Sequence, residues 1–132
     1  MLKTESLQLA KGDIMALEEA RLEQIKNILL QHKGKANPIP ANKISKTLNI
    51  PEDDTVPTTR KLITKLILDE GMPIGAYGNG YFYIETLQEL TEYIDFLDQK
   101  IEQTTTRKAK VISNYENKYG KWKSKFTQLD EY

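Results

Sequence analysis

The sequence predicts a mostly α-helical domain with one small β-hairpin (α+β), continued by a long C-terminal helical arm. Three observations lead there. Apolar residues recur at helical spacing in three segments between residues 17 and 70. Two short strand-like runs, Met72-Pro-Ile-Gly-Ala-Tyr77 and Gly80-Tyr-Phe-Tyr-Ile84, flank the sequence Gly78-Asn79-Gly80, and Asn-Gly supplies the positive φ angles of tight hairpins. From Thr86 onward neither Gly nor Pro occurs until Gly120.

Residues 1–16 end on Lys11-Gly12-Asp13 and read as an N-terminal arm or short helix. Leu17, Leu22, Ile25, Ile28 and Leu29 then mark a first helix, with Gly34 as its stop. Pro38-Ile39-Pro40 enforces extended backbone and is a candidate short first strand. Ala41–Leu48 reads as a short second helix, with Ile44 and Leu48 on one face. The polar turn Glu52-Asp53-Asp54-Thr55 precedes a third helix, which Asp54 or Thr55 caps and in whose first turn Pro57 is tolerated. That helix sets Leu62, Ile63, Leu66 and Ile67 inward and ends at Gly71. Phe82 and Ile84 are expected to close the core from the hairpin side. Thr86-Leu-Gln-Glu89 has the form of a capping box and opens the arm, in which Thr104-Thr105-Thr106 is a run of poor helix formers where the helix could break or bend. The domain proper is thus expected over residues 17–85 and the arm over residues 86–132.

Composition narrows the function classes. The chain has no cysteine, which removes disulfides and thiolate metal sites and fits a reducing, cytoplasmic setting. Its start lacks the apolar core of a signal peptide, and no apolar run reaches membrane-spanning length. The net charge of zero conceals segregation: residues 33–65 hold Lys33, Lys35, Lys43, Lys46, Arg60, Lys61 and Lys65 against Glu52, Asp53 and Asp54. Residues 66–99 hold acids and no bases, and residues 100–126 are again basic. A phosphate backbone meets local patches, not the sum. No P-loop, G-x-S-x-G, H-E-x-x-H or Cys/His pair occurs, and His32 is the lone histidine. No enzymatic activity, metal or cofactor is therefore expected.

The order helix, short strand, helix, turn, helix, hairpin carries a resemblance. Ile39-Pro-Ala-Asn-Lys-Ile44-Ser-Lys-Thr-Leu48-Asn-Ile50, the basic segment Thr58-Thr-Arg-Lys-Leu-Ile-Thr-Lys65 running to Glu70-Gly71, Met72-Pro-Ile74 and Gly78-Asn-Gly80-Tyr-Phe-Tyr-Ile84 resemble the winged helix-turn-helix superfamily, in particular its small phage and mobile-element members. The turn from Pro51 to Pro57 is longer and more acidic than that family's usual one. The resemblance implies a DNA-binding protein that reads the major groove of duplex DNA with the third helix, as a transcriptional regulator or replication accessory. With its apolar residues inward, that helix presents Thr58, Arg60, Lys61, Thr64 and Lys65 outward; Lys43 and Lys46 on the second helix would meet flanking phosphates, and Asn79 marks an uncharged wing tip. A rival reading is a protein-interaction adaptor, which the uncharged wing and the acidic residues 66–99 favour.

Tyr77, Tyr81, Phe82 and Tyr83 are better read as hairpin packing than as base-stacking platforms. The acidic cluster Glu52-Asp53-Asp54 is better read as a helix cap than as catalytic carboxylates. In the arm, Leu90, Ile94, Leu97 and Ile101 follow Leu87 at 3-4 spacing; Thr104 and Lys108 weaken this seam, and Val111 and Tyr115 resume it. The seam fits either packing against the first helix or pairing with a second subunit in a coiled-coil homodimer; pairing is preferred. Beyond it, the basic-aromatic stretch Lys118–Phe126 suits a packed tail helix or a nucleic-acid or acidic-protein contact.

Overall fold

A computed structural model describes residues 2–122, with side chains from Lys11 onward. It is mostly helical with one two-stranded antiparallel sheet, in the order α1 (Leu2–Leu30), α2 (Ala41–Thr47), α3 (Pro57–Leu68), β1 (Ile74–Tyr77), β2 (Gly80–Tyr83) and α4 (Leu87–Tyr119). Two units divide the chain between Tyr93 and Ile94.

Helix α1 begins well before Leu17. Gly12 is the one strong helix breaker in that early stretch, and a single interior glycine costs about 1 kcal/mol, which a long helix absorbs. Leu22, Ile25 and Leu29 enter the core, whereas Leu17, expected on the same face, is half exposed because it lies a turn beyond the core's edge. The same core takes Ile39, Ile44 and Ile50 from the α2 region, Leu62, Ile63 and Leu66 from α3, and Met72 and Ile74 from the strand that follows. Ile67 departs from the expected inward set: it is 39% exposed, since the buried stripe of α3 centres on Thr59, Leu62, Ile63 and Leu66.

Residues 32–39 cover the free edge of β2. Ile39 and Tyr81 exchange both backbone hydrogen bonds at 2.8 Å, Gly34 N–H donates to Tyr83 O, and Tyr83 N–H donates to His32 O. The pairing stays at isolated bridges instead of a strand because Pro38 and Pro40, on either side of Ile39, have no N–H to extend a ladder. Helix α2 ends in a Schellman turn: Asn49 takes a positive φ of 53°, Ile50 N–H reaches Ser45 O, and Asn49 N–H reaches Lys46 O.

In the hairpin, Tyr77 pairs with Gly80, leaving Gly78 and Asn79 as the loop. The positive φ expected at the Asn-Gly pair falls on Gly80 alone, at +134°. Strand alternation turns Ile74, Tyr81 and Tyr83 toward the helical core. Phe82, fully buried, lies on the other face and belongs to a separate aromatic cluster, so it does not close the helical core as expected; Ile84 is only partly buried. Tyr77 stacks on Phe82 at 5.8 Å between centroids and meets the edge of Tyr93 at 5.7 Å. The hairpin aromatics thus pack, as expected.

The capping box at the start of α4 forms: Glu89 N–H donates to Thr86 Oγ1, and Glu89 Oε1 accepts from the N–H groups of Glu85 and Thr86. Glu89 Oε2 also accepts Lys35 N–H, and Glu92 pairs with Lys35 Nζ at 3.1 Å. Through Tyr93, therefore, α4 docks on the hairpin and on Lys35. At Thr104–Thr106, where the sequence leaves room for a break or bend, the helix runs unbroken, and Thr105 donates its hydroxyl to Ile101 O one turn back. Of the Lys118–Phe126 stretch, Lys123 to Phe126 lie outside the described residues.

Candidate nucleic-acid interface

Helix α3 packs on both α1 and α2 through its buried stripe, which leaves the opposite face outward. The long turn from Pro51 to Pro57 decides how that helix starts. Pro57 opens α3, and the residue before a proline is barred from the right-handed helical region; Val56 enters at φ 47°, ψ 54°, a left-handed conformation uncommon for a β-branched residue. It is held there by burial in the protein interior.

No local side chain caps α3, so the expected cap from Asp54 or Thr55 is replaced. Asp53 Oδ1 instead accepts Thr55 N–H within the turn. Glu52 reaches across six residues: its Oε1 accepts the N–H groups of Thr58 (2.6 Å) and Thr59 (3.2 Å), and its Oε2 accepts the hydroxyls of Ser45 and Thr59. One carboxylate thus joins the end of α2 to the start of α3 and sits against the positive end of the helix dipole. The acidic cluster is a cap, as expected, through its first member. Partial burial pushes the Glu52 carboxyl up, but the Ser45 and Thr59 hydroxyls and the two N–H groups outweigh it and hold the carboxyl below its ordinary value.

A folded value below the unfolded one means that Glu52 stabilises the domain fully above about pH 5, and that this contribution fades as pH falls through the unfolded carboxyl value of about 4.3 toward the lower native one. Glu52→Gln should cost about 1–3 kcal/mol at pH 7, because the Thr59 hydroxyl is buried and an amide NH₂ cannot accept from donors. The difference between wild type and variant, read from urea melts, should shrink below pH 4.

The expected contact residues differ in how freely they are presented. Lys43, Lys46 and Lys61 are exposed, with no side-chain hydrogen bond or ion pair among the described residues. Arg60 is exposed but tethered: its Nε donates to Thr55 O at 2.9 Å and a terminal nitrogen to the Tyr81 hydroxyl at 3.3 Å. It ties α3 to the hairpin and lines a concavity of about 410 Å³ with Asn42, Asp54, Tyr77 and Gly78. Thr64 is exposed and donates its hydroxyl to Arg60 O at 3.0 Å. Thr58 is half-buried and Thr59 fully buried, so neither leads the exposed face. Asn79 is exposed at the hairpin tip.

Lys65 is paired: its Nζ lies 2.9 Å from Glu18 Oε1, whose hydrogen bond and charge raise the lysine above its ordinary value. This ion pair joins residues 47 apart in sequence. A groove of about 360 Å³ runs beside it, lined by Ile14, Leu17 and Arg21 of α1 and by Thr58, Lys61 and Leu62 of α3. Arg21 therefore adds a base beside Lys61 that the sequence does not single out, since periodicity places Arg21 on a helix but not against α3. The Leu90, Ile94 and Ile101 seam positions remain 41–63% exposed. No group of three or more potential metal ligands occurs among the described residues, and no described helix is long and apolar enough to cross a membrane.

No family model, curated protein or solved structure matches this chain.

Proposed function

We propose that residues 17–85 form a winged helix-turn-helix domain that binds double-stranded DNA sequence-specifically, as a regulator or replication accessory of phage or mobile-element type. The observation that carries this reading is the outward face of α3, with unpaired Lys61 and exposed Thr64, next to unpaired Lys43 and Lys46 on α2. A helix of this kind enters the major groove; lysines neutralise phosphate, and a threonine methyl meets a thymine methyl. The Arg60–Tyr81 bond supports the wing assignment, because it fixes the hairpin against the same helix.

The tethering of Arg60 makes it a poor test of contact, since its loss also loosens the hairpin. The better variant is Lys43→Ala/Lys46→Ala/Lys61→Ala. It should weaken duplex binding and lower the slope of log affinity against log salt by about 1 for each phosphate that is no longer neutralised. Unchanged affinity and slope would reject the assignment. Glu18→Gln frees Lys65, and the expected result is tighter duplex binding with a slope steeper by about 0.9.

One observation favours a second reading, a protein-interaction adaptor. Leu68 is 75% exposed on α3 and Ile67 is partly exposed beside it, where Lys65 is already neutralised by Glu18. A stoichiometric protein complex that is abolished in Leu68→Ser, with no retention of DNA, would establish the adaptor in place of the DNA-binding domain.

A further inference from the structure

Along α4 the charges change sign. Glu89, Glu92, Asp95, Asp98 and Glu102 outweigh Lys100 in the first half, and Arg107, Lys108, Lys110 and Lys118 outweigh Glu116 in the second. The apolar stripe beside them is unpartnered in the described chain: Ile94, Ile101, Val111 and Tyr115 are 45%, 63%, 60% and 51% exposed. A stripe of large apolar side chains on a 33-residue helix is a seam awaiting a partner helix. The 3-4 spacing that runs through Ile101 also puts Lys108 and Lys118 on the seam itself.

We infer that α4 pairs with α4 of a second copy of this chain in antiparallel orientation. Parallel, in-register pairing sets each seam residue against its own copy, so Lys108 would face Lys108 and Lys118 would face Lys118 across the interface. Antiparallel pairing puts the basic half of one helix along the acidic half of the other. With the two-fold axis between Glu102 and Gln103, the spacing brings Ile101 to Thr104, Leu97 to Lys108, and Ile94 to Val111 of the other copy. Lys108 then lies near Asp98, which flanks the seam beside Leu97. The polar break at Thr104–Thr106, which weakens a continuous seam, sits close to the axis. This pairing places identical surfaces in a closed two-fold contact, and it stands whether or not the domain binds DNA.

Because the chain has no cysteine, one introduced thiol is the sole labelling site. Gln99→Cys, Thr106→Cys and Ser113→Cys each carry a nitroxide at an exposed position off the seam, seven residues apart, and are measured in the full chain by pulsed dipolar spectroscopy. With a rise of 1.5 Å per residue, antiparallel pairing separates the two labels along the axis by about 10 Å at positions 99 and 106, and by about 30 Å at position 113. The expected result is similar distances at the first two sites and a clearly longer one at the third. Equal distances at all three sites mean parallel pairing and overturn the proposal. Absence of dipolar modulation at every site means a monomer and overturns it as well.

Discussion

Phe82→Ala is expected to destabilise the domain by about 3–5 kcal/mol, much of the 5–15 kcal/mol that domains of this size possess. Phe82 is fully buried although it lies outside the core built by the helices. Its ring occupies the side of the hairpin that Gly75 leaves vacant: a Cβ on Gly75 would come within 2.7 Å of the ring. Tyr77 stacks on it, and Tyr93, from the first turns of α4, meets Tyr77 edge-on. Truncation removes the piece that these neighbours share, so the hairpin and the start of α4 should loosen together. Chemical denaturation would read the loss as a lower midpoint. Phe82→Leu, which keeps most of the volume, should recover more than half of it. A loss below about 1 kcal/mol would mean that the cavity collapses at little cost and that the aromatic cluster is not a structural joint.

Gly80→Ala should be of similar severity, about 3 kcal/mol or more, for a backbone reason. A Cβ at this position would lie 2.5 Å from the Ile39 carbonyl carbon, 2.6 Å from its oxygen and 2.8 Å from Pro40 N. These are backbone atoms and cannot rotate aside. Gly80 also has φ +134°, a conformation that L side chains rarely adopt. Relief requires the Ile39 segment to leave β2, so hydrogen-exchange protection of the Ile39 and Tyr81 amides should fall with stability. Gly78→Ala is the internal control. Nothing lies within 4 Å of its Cβ, and its φ is not positive; a change within about 0.5 kcal/mol is expected.

These two positions also show how much of the fold is legible in the sequence. The glycine-rich hairpin is visible from Asn79-Gly80, because local turn chemistry is short-range. The need for glycine at residue 80 is not, because its cause is the Ile39–Pro40 segment, far earlier in the chain, which pairs along the free edge of β2. Likewise, alternation correctly puts Phe82 opposite Tyr81 and Tyr83, yet cannot say which face meets the helices. Elements with an apolar period of their own, such as α2 and α3, and the local Thr86–Glu89 capping box are legible to within a residue or two. Helix α1 is longer than its sequence suggests, since a lone Gly12 and weak periodicity look like an arm until the helix is seen to carry through. At the candidate interface, the basic residues of α2 and α3 are visible as residue types in the sequence. Their availability is not: the Glu18–Lys65 pair and the Arg60–Tyr81 bond depend on tertiary approach, and they reduce the freely exposed set to Lys43, Lys46 and Lys61.

The measurement that bears most directly on function is the salt dependence of binding between the full chain and duplex DNA enriched by selection from random sequence. If α3 enters the major groove with the α2 lysines on the flanking backbone, three to five phosphate contacts per domain should give log affinity against log salt a slope of about −3 to −5, with selected duplex bound more tightly than random duplex at every salt concentration. No binding at low salt, or a slope near zero, would contradict the DNA-binding assignment.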